Sequence, residues 1–354
     1  MSLFMTPMQR VLTTLRHEEP DRVPVFLLFT MHGAKELGMS VKEYFSKPEN
    51  VAEGQVRVCR KFGNDCVYGF FYAPIEIEAC GGEVIFRDDG PPNSGTPFIK
   101  KSEDIRGLVP PNVRESRCLG RALDAQRMMK EKVGGDVPII GTVMSPFSIP
   151  VMQMGFDKYI ELIYEHRELF NHLMKINEEF CIQWANAQLD AGCSAICYFD
   201  PMSSTTIIDK DLYLKTGHNI AQRTISGIKG PTATHFAAGR CYSIIEDVIQ
   251  TGTTVVGVSV LDDLQKIKNT CKGRTTVMGN LNGIEMRRWS PEETTRAVKK
   301  AIASAGKGGG FILSDNHGEI PFQVPDDVLY TITEAVNTWG RYPLKWLDQG
   351  SVSE

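Results

Sequence analysis

The stretch "GGGFILSDNHGEIP" (residues 308–321) places an apolar segment directly in front of several ionisable side chains. Its central part, "FILS" (311–314), has the composition of a buried strand, and Asp315, His317 and Glu319 follow it closely. These side chains can hold a proton or ligate a metal ion. The stretch therefore predicts a buried strand that ends in groups able to do chemistry.

Seven other segments have the same character, being short β-branched or apolar runs that end in small or polar residues. They are "RVPVFLLF" (22–29), "DCVYGFFY" (65–72), "VPIIGTV" (137–143), "SAICYFD" (194–200), "PTATHFA" (231–237), "TTVVGVS" (253–259) and "TTVMGNL" (275–281). With "GFILSD" (310–315) they make eight predicted strands. Strands that are apolar on both faces are typical of a parallel sheet covered by helices.

Helical segments are predicted between the strands, and several carry N-terminal capping signals, in which a side-chain cap is paired with a returning side chain three residues later. These signals are Thr6 with Gln9, Ser40 with Glu43, and Ser290 with Glu293. The first belongs to an N-terminal helical segment over residues 1–21. Residues 73–112, rich in Gly and Pro, interrupt the alternation and predict an inserted hairpin and loop after the second strand.

Eight strands alternating with helices favour a (βα)8 TIM barrel that forms a single domain over residues 1–354. A doubly wound open sheet is the alternative. Such a sheet usually carries a Gly-rich phosphate-binding turn after an early strand. The Gly cluster of this chain, "GKGGG" (306–310), instead precedes the last strand. We therefore predict the α/β barrel.

Composition narrows the classes of partner. The net charge is -4, and Lys and Arg do not cluster, which argues against nucleic acid as a partner. No apolar run approaches the length of a membrane span, and the start of the chain does not resemble a signal peptide. The nine cysteines are scattered and form no CxxC pair, as expected of reduced thiols in a cytoplasmic protein. A second copy of the chain, forming a homodimer, is also a candidate partner.

In a barrel the carboxyl ends of all strands meet at one mouth. His235 lies near the end of the fifth predicted strand, and His317 follows the eighth. With Asp315, Glu319 and Cys241 nearby in the sequence, they are candidates for a metal site or an acid–base site. The alternative is that each histidine is a structural residue held by hydrogen bonds. Because the two lie far apart in the chain, only the fold can bring them together.

Other residues near the predicted strand ends are candidates for substrate contacts. Asp200 and Asn280 are polar candidates, and the apolar candidates are Tyr72, Met144, Phe147, Phe199 and Met202. An apolar wall of this kind suits a planar or methylated small molecule. Phe and Met residues near strand ends also commonly fill protein cores, so these residues discriminate little.

The segment "TPMQRVLTTLRHEEPDRVPV" (6–25) resembles the opening of the uroporphyrinogen decarboxylase superfamily. The resemblance continues through "YFDPMSS" (198–204), "VVGVSVLDDL" (255–264), "VMGNLNG" (277–283) and "SDNHGEIPFQVPDDV" (314–328). It implies the (βα)8 barrel and one of two chemistries. These are decarboxylation of uroporphyrinogen and the methyl transfer of the methylcobalamin:coenzyme M methyltransferases.

The decarboxylase pattern is largely missing. Decarboxylases carry an arginine-rich segment just after the first strand, which binds the substrate's carboxylates, whereas "FLLFTMHGAKELG" (26–38) contains no arginine. Their aspartate at the second strand falls on Phe71 or Tyr72, and their tyrosine beyond the third strand falls near Met152. His317 matches. The chain therefore lacks the positive charges that are expected to bind the polyanionic tetrapyrrole.

The methyltransferase pattern is partly retained. The resemblance implies a zinc ion held by a His-x-Cys pair at the fifth strand and a cysteine at the eighth. Here His235 matches, Ala237 stands in place of the first cysteine, and His317 stands in place of the second. Zinc also accepts imidazole and carboxylate ligands, so His235 and His317 with Glu319 or Cys241 are the predicted zinc ligands.

The sequence thus predicts a corrinoid-dependent, zinc-assisted methyltransferase component that moves a methyl group between a small methylated donor and a corrinoid protein. His317, Asp315 and Asp200 are the predicted catalytic residues, and Tyr72, Phe147, Met202 and Asn280 are predicted to bind substrate. Since a corrinoid-binding Asp-x-His-x-x-Gly signature is absent, cobalamin must come on a partner protein. A uroporphyrinogen decarboxylase, which forms coproporphyrinogen III in porphyrin biosynthesis, and a non-catalytic ligand-binding barrel remain as alternatives.

Overall fold

The computed structural model describes residues 5–69 and 72–348, and eight parallel strands form its main sheet. They are β1 (Val25–Phe26), β2 (Val67–Tyr68), β3 (Ile139–Met144), β4 (Ala195–Phe199), β5 (Thr232–His235), β6 (Val255–Gly257), β7 (Thr276–Leu281) and β8 (Phe311–Asp315). Each overlaps one of the eight predicted segments.

The order of the strands shows the architecture. Neighbours in the sheet run β1-β8-β7-β6-β5-β4-β3-β2, and every pair is parallel. The first strand therefore lies beside the last, with Val25 opposite Leu313. A doubly wound open sheet does not have this order, so the predicted (βα)8 barrel is confirmed.

Side chains close the barrel between β1 and β2. The backbone N–H of Asp65 donates to the Val25 carbonyl (2.8 Å), and the Asp65 carboxylate accepts from the Val25 N–H (2.8 Å). Next to it, the Asn64 side chain accepts from the Leu27 N–H (2.8 Å) and donates to the Leu27 carbonyl (3.3 Å). These two side chains thus take the place of ladder hydrogen bonds at this seam.

Two arginines neutralise the buried Asp65, which is 1% exposed. Arg10 and Arg22 each place a guanidinium nitrogen 2.7 Å from a carboxylate oxygen of Asp65. Arg10 also pairs with Asp21 at 2.6 Å. Because Arg10 lies on the first helix, the same ion-pair network holds that helix against the amino-terminal end of the barrel.

Fifteen α-helices lie in the described part of the chain. They are α1 (Pro7–Leu15), α2 (His32–Leu37), α3 (Val41–Tyr44), α4 (Pro48–Phe62), α5 (Ile75–Ala79), α6 (Arg117–Val133), α7 (Pro150–Met154), α8 (Phe156–Glu165), α9 (Arg167–Asp190), α10 (Lys210–Lys215), α11 (Gly217–Gly227), α12 (Ile245–Gln250), α13 (Leu264–Cys271), α14 (Pro291–Ala305) and α15 (Asp326–Trp339). Short 3-10 turns span Ser102–Gly107, Pro201–Ser203, Tyr242–Ile244, Glu285–Arg288 and Lys345–Leu347. None of these helices is long and apolar enough to cross a membrane.

The predicted helix starts are largely observed. Thr6 and Ser290 form full capping boxes at α1 and α14. Ser40 caps only the short α3, and a new helix, α4, begins at Pro48. Proline lacks an N–H for an intrahelical bond but suits the first turn, so Pro48 starts a helix separate from the one that Ser40 caps.

The insertion after β2 contains the predicted hairpin, formed by antiparallel Val84–Ile85 and Asn93–Ser94. It also contains α5, which the sequence reading did not anticipate. The insertion packs over the mouth of the barrel, where it contributes one wall of the candidate site.

The strands are buried on both sides. One apolar cluster takes side chains from most of the strands and from α1, including Val11, Phe26, Tyr68, Ile140 and Ile312. Larger clusters pack the opposite faces of the strands against the surrounding helices. This double burial is the reason that the strands read as continuous apolar runs in the sequence.

We expect Asp65→Asn to lower the free energy of unfolding by about 3 kcal/mol, because it leaves two partly buried guanidinium groups without their shared charge. Urea unfolding followed by circular dichroism measures this change. Asp124→Asn is the control, since Asp124 is exposed, pairs with Arg127, and should cost less than about 1 kcal/mol. Equal unfolding midpoints for the two variants would contradict the assigned role of Asp65.

Candidate active site

A cleft of ≈ 290 Å³ lies at the carboxyl ends of the strands, between the loop after β8 and the insertion after β2. Its described lining residues are Ala73, Ile75, Glu76, Pro91, Pro92, Asn93, Thr142, Met144, Phe199, His317, Gly318 and Glu319. Half of the wall thus comes from the insertion. Such a cleft suits a small molecule.

The loop after β8 is shaped by the Asp315 carboxylate, which is 1% exposed. One carboxylate oxygen accepts from the Leu28 N–H (3.0 Å), and the other accepts from the His317 N–H (3.3 Å). Burial raises the pKa of Asp315 to about 6, against the opposing effect of these N–H groups. Asp315 therefore joins β8 to β1 and directs His317 toward the cleft.

His317 is half-buried at the cleft, and burial lowers its pKa, so its imidazole is neutral at pH 7. When the Asn316 amide is oriented to satisfy its hydrogen bonds, its nitrogen donates to His317 Nδ1 at 2.6 Å. A ring nitrogen that accepts a hydrogen bond carries no proton in the neutral imidazole. His317 therefore holds its proton on Nε2.

His235 lies deeper, at the end of β5, with 1% exposure. Its Nδ1 accepts from the Ala237 N–H at 3.0 Å, which places the proton of the neutral ring on Nε2. Burial and the nearby His317 lower the pKa of His235 to about 4. The ring packs on Phe199 with 4.8 Å between centroids. A Cβ on Gly257 would lie 2.6 Å from the His235 ring, so glycine is needed there.

Two carboxyl groups line the cleft, one from the insertion and one from the loop after β8. Glu76, on α5, is 3% exposed and accepts from the Met144 N–H at 3.0 and 3.2 Å through its two oxygens. Glu319 has a buried Oε1 without a hydrogen-bond partner among the described residues. Burial raises the pKa of each to about 8, and the Asp315 carboxylate adds to the effect at Glu319.

Glu76 is the site residue that the sequence reading missed. The motif "IEIEA" (75–79) lies in a Gly- and Pro-rich insertion, where an acidic side chain ordinarily faces solvent. Only the contact with Met144 at the end of β3 brings Glu76 into the cleft. No local sequence signal distinguishes it from Glu78, which pairs instead with Arg121 at 3.2 Å.

The predicted zinc ligands do not fit a metal ion as they are placed. Within residues 5–69 and 72–348, the only His, Cys, Asp or Glu side chains that bring three ligand atoms within 4.8 Å of one another are Glu161, Glu165 and His166. Ligation through Nε2 would require the proton of each ring to move to Nδ1, which in both His235 and His317 accepts a hydrogen bond. Cys241 is fully buried, and burial raises its pKa well above the usual value.

Asp200 lies beside the cleft and outside its lining. Its Oδ1 accepts from the hydroxyls of Ser145 (2.6 Å) and Ser148 (2.8 Å), and its backbone N–H donates to the His235 carbonyl (2.8 Å). These contacts tie together the ends of β3, β4 and β5. A direct catalytic role for Asp200 stays a prediction.

The four residues predicted to bind substrate also lie outside the described lining of this cleft. The Tyr72 hydroxyl donates to Glu78, and Phe147 packs on Tyr159 and Phe170. Met202 lies in the core. Asn280 donates to the Ser259 carbonyl at 3.1 Å and lines a separate groove. Met144 and Phe199 are the apolar candidates that reach the cleft. Phe71, the other candidate position at β2, lies outside the described residues.

The sequence profile of the uroporphyrinogen decarboxylase (URO-D) family matches residues 6–339. The chain belongs to the URO-D family. URO-D relatives include a methylcobamide:CoM methyltransferase, MtaA, from Methanosarcina barkeri, which is 24% identical over 319 residues that cover 88% of this chain and 92% of the relative. A uroporphyrinogen decarboxylase from Carboxydothermus hydrogenoformans is 26% identical over 324 residues that cover 87% and 90%.

Solved structures agree on the URO-D fold. A methyltransferase from Methanosarcina mazei superposes with a TM-score of 0.84 and 22% identity, covering 94% of this chain and 99% of that one. A B12-independent methionine synthase from Shewanella sp. W3-18-1 superposes with a TM-score of 0.54 and 15% identity, covering 92% and 98%. The predicted resemblance is thus confirmed at the level of family and fold.

We expect Glu76→Gln to flatten the pH dependence of stability between about pH 4.5 and pH 8. Since the pKa of Glu76 is raised from 4.5 to about 8, its contribution to stability is fully present below pH 4.5, falls progressively as the pH rises, and is lost once the pH has passed about 8. The variant should remove a slope of at most about 1.4 kcal/mol per pH unit. Urea midpoints measured across this range test it, with the exposed Glu131→Gln as a control that should follow the wild type.

Proposed function

We propose that this protein is a methyltransferase that moves a methyl group between a small methylated donor and a corrinoid protein. The URO-D relatives supply two activities to choose between, methyl transfer and decarboxylation. The observation that carries the choice is the charge of the cleft. Its titratable lining residues are Glu76, His317 and Glu319, and no Lys or Arg is found among the lining residues that the structure describes.

This charge pattern disfavours a tetrapyrrole as the substrate. Uroporphyrinogen carries acetate and propionate groups, and proteins hold carboxylates with Arg or Lys through charge-assisted hydrogen bonds. Carboxyl groups in the same cleft would repel such a substrate or bind it only as the acid. A small methylated donor places no such demand on the cleft.

The residues of the cleft divide into a binding wall and a polar end. Phe199 and Met144 provide an apolar surface for methyl groups, and Pro91 and Pro92 of the insertion help to shield that surface from water. The Nε2–H of neutral His317 can donate a hydrogen bond to a polar atom of the donor and so orient it. The corrinoid supplies the cobalt that exchanges the methyl group, and a partner protein brings it to the mouth of the barrel.

Zinc assistance stays a prediction. To bind zinc, His235 would have to give up the hydrogen bond that its Nδ1 accepts from the Ala237 N–H. Elemental analysis of protein purified without chelators tests it on the wild type, His235→Ala and His317→Ala. About one zinc per chain that is lost in both variants would establish a metal site. Wild-type protein without zinc would leave a site of neutral histidines and carboxyl groups.

The methyltransferase proposal is tested by incubating the protein with a panel of methylated donors and reduced cobalamin, and by following formation of methylcobalamin by absorbance. We expect turnover, and we expect His317→Ala to lower kcat/KM about tenfold or more through loss of an orienting hydrogen bond. The exposed His172→Ala is the control that should retain wild-type activity.

Incubation with uroporphyrinogen is the opposing assay. Formation of coproporphyrinogen would overturn the methyltransferase proposal in favour of the decarboxylase. Binding of a small ligand without turnover in either assay would favour a non-catalytic barrel that has kept the cleft and lost the reaction.

A further inference from the structure

We propose that the cleft binds a methylated cation, a quaternary ammonium or a sulfonium compound, and that this is the class of methyl donor. The proposal rests on the proposed function, since it names the donor for that reaction. It is carried by the placement of two carboxyl groups and one aromatic side chain around a cleft without a basic side chain among its described lining residues.

Neither cleft carboxyl group has a cationic partner among the described residues. Glu76 is held by the Met144 N–H alone, and Glu319 leaves its buried Oε1 without a hydrogen bond. Two other buried carboxylates are satisfied by side chains of the protein: Asp65 pairs with Arg10 and Arg22, and Asp200 accepts from serine hydroxyls. A ligand cation would supply the charge that the cleft itself does not provide.

The two histidines supply no positive charge to the cleft. Nδ1 of His235 accepts from the Ala237 N–H, and Nδ1 of His317 accepts from the Asn316 amide, so each ring keeps an unprotonated nitrogen and is neutral. Asp315 precedes Glu319 in the same loop, and its carboxylate opposes ionisation of Glu319 unless a cation is bound. The polar end of the cleft therefore favours a positive ligand over a neutral or negative one of the same shape.

The apolar side of the cleft suits methyl groups on such a cation. Phe199 lines the cleft, and its ring is fixed between His235, at 4.8 Å between centroids, and Gly318, where an added Cβ would lie 2.6 Å from the ring. An aromatic face attracts a methylated cation through the ring quadrupole. The Met144 side chain beside it adds a polarizable apolar contact.

The chemistry balances with this donor class. The bond from the methyl carbon to nitrogen or sulfur breaks, and its electron pair stays on the heteroatom, so that a neutral amine or sulfide leaves. The reduced corrinoid supplies the electron pair for the new bond to the methyl carbon. No proton is needed. As the bond breaks, the product leaves without a charge, so the carboxyl groups hold it less tightly than the donor. A sulfide stays neutral, and an amine takes up a proton from water after its release.

The test compares choline with 3,3-dimethylbutan-1-ol, in which carbon replaces the charged nitrogen at nearly the same shape. Isothermal titration calorimetry on the full chain without any corrinoid should show that choline binds at least about tenfold more tightly, which corresponds to about 1.4 kcal/mol. Equal affinities, tighter binding of the neutral alcohol, or binding of neither compound would overturn the proposal.

Variants locate the binding site. Glu76→Gln and Glu319→Gln should each weaken choline binding about tenfold while leaving the affinity for the neutral alcohol unchanged. Each variant keeps the shape but replaces a carboxyl group, which can ionise beside a bound cation, by an amide that cannot. Glu131→Gln, on the exposed face of α6, should bind choline as the wild type does. If Glu76→Gln fails to fold, Glu319→Gln alone decides, and unchanged choline binding in that variant would overturn the proposal.

The outcome is separable from that of the proposed function. Selective choline binding without methyl transfer from any cation to cobalamin would retain the cation site and overturn the methyltransferase. Methyl transfer from a neutral ether, with no preference for choline, would retain the methyltransferase and overturn the cation site.

Discussion

The rest of the barrel depends on the hydrogen bonds and ion pairs of the buried Asp65 carboxylate. It joins β1 to β2 by accepting the Val25 N–H, and it draws in Arg10 and Arg22. A charge at this depth is tolerated only when it is paired and hydrogen-bonded, so the seam forms with its correct partners or not at all. With β1 held in place, β8 pairs with it in register, and the Leu28 N–H can reach Asp315.

The contact between the Leu28 N–H and Asp315 links the closed barrel to the candidate site. Asp315 binds β1 through one oxygen and the backbone of His317 through the other. The position of His317 therefore depends on strand closure through Leu28 as well as on the local turn at Asp315. The opposite wall has a separate origin, because α5 and the hairpin of the insertion bring Glu76 against the end of β3.

Low solvent exposure then decides what these groups can do. In a poorly hydrated cleft the neutral form of each histidine and of each carboxyl group is favoured, unless a partner of opposite charge is present. This environment is the ground on which we propose a small methylated donor, and not a polyanion, for the cleft. The URO-D relatives include a methyltransferase and a decarboxylase, so the fold alone does not identify the substrate.

The sequence by itself determined the eight strands, their alternation with helices, and the ionisable end of β8, because strand periodicity and helix capping are local signals. His235, Met144, Phe199, His317 and Glu319 could be named as mouth residues for the same reason. The tertiary structure alone decided that Glu76 faces the cleft, that Asp65 closes the barrel, and that Tyr72, Phe147, Met202, Asn280 and Cys241 lie outside the described lining. These outcomes depend on which distant backbone groups a side chain contacts. Glu76 and Met144, for example, are 68 positions apart, and a contact between residues so distant cannot be recognised from the local sequence pattern.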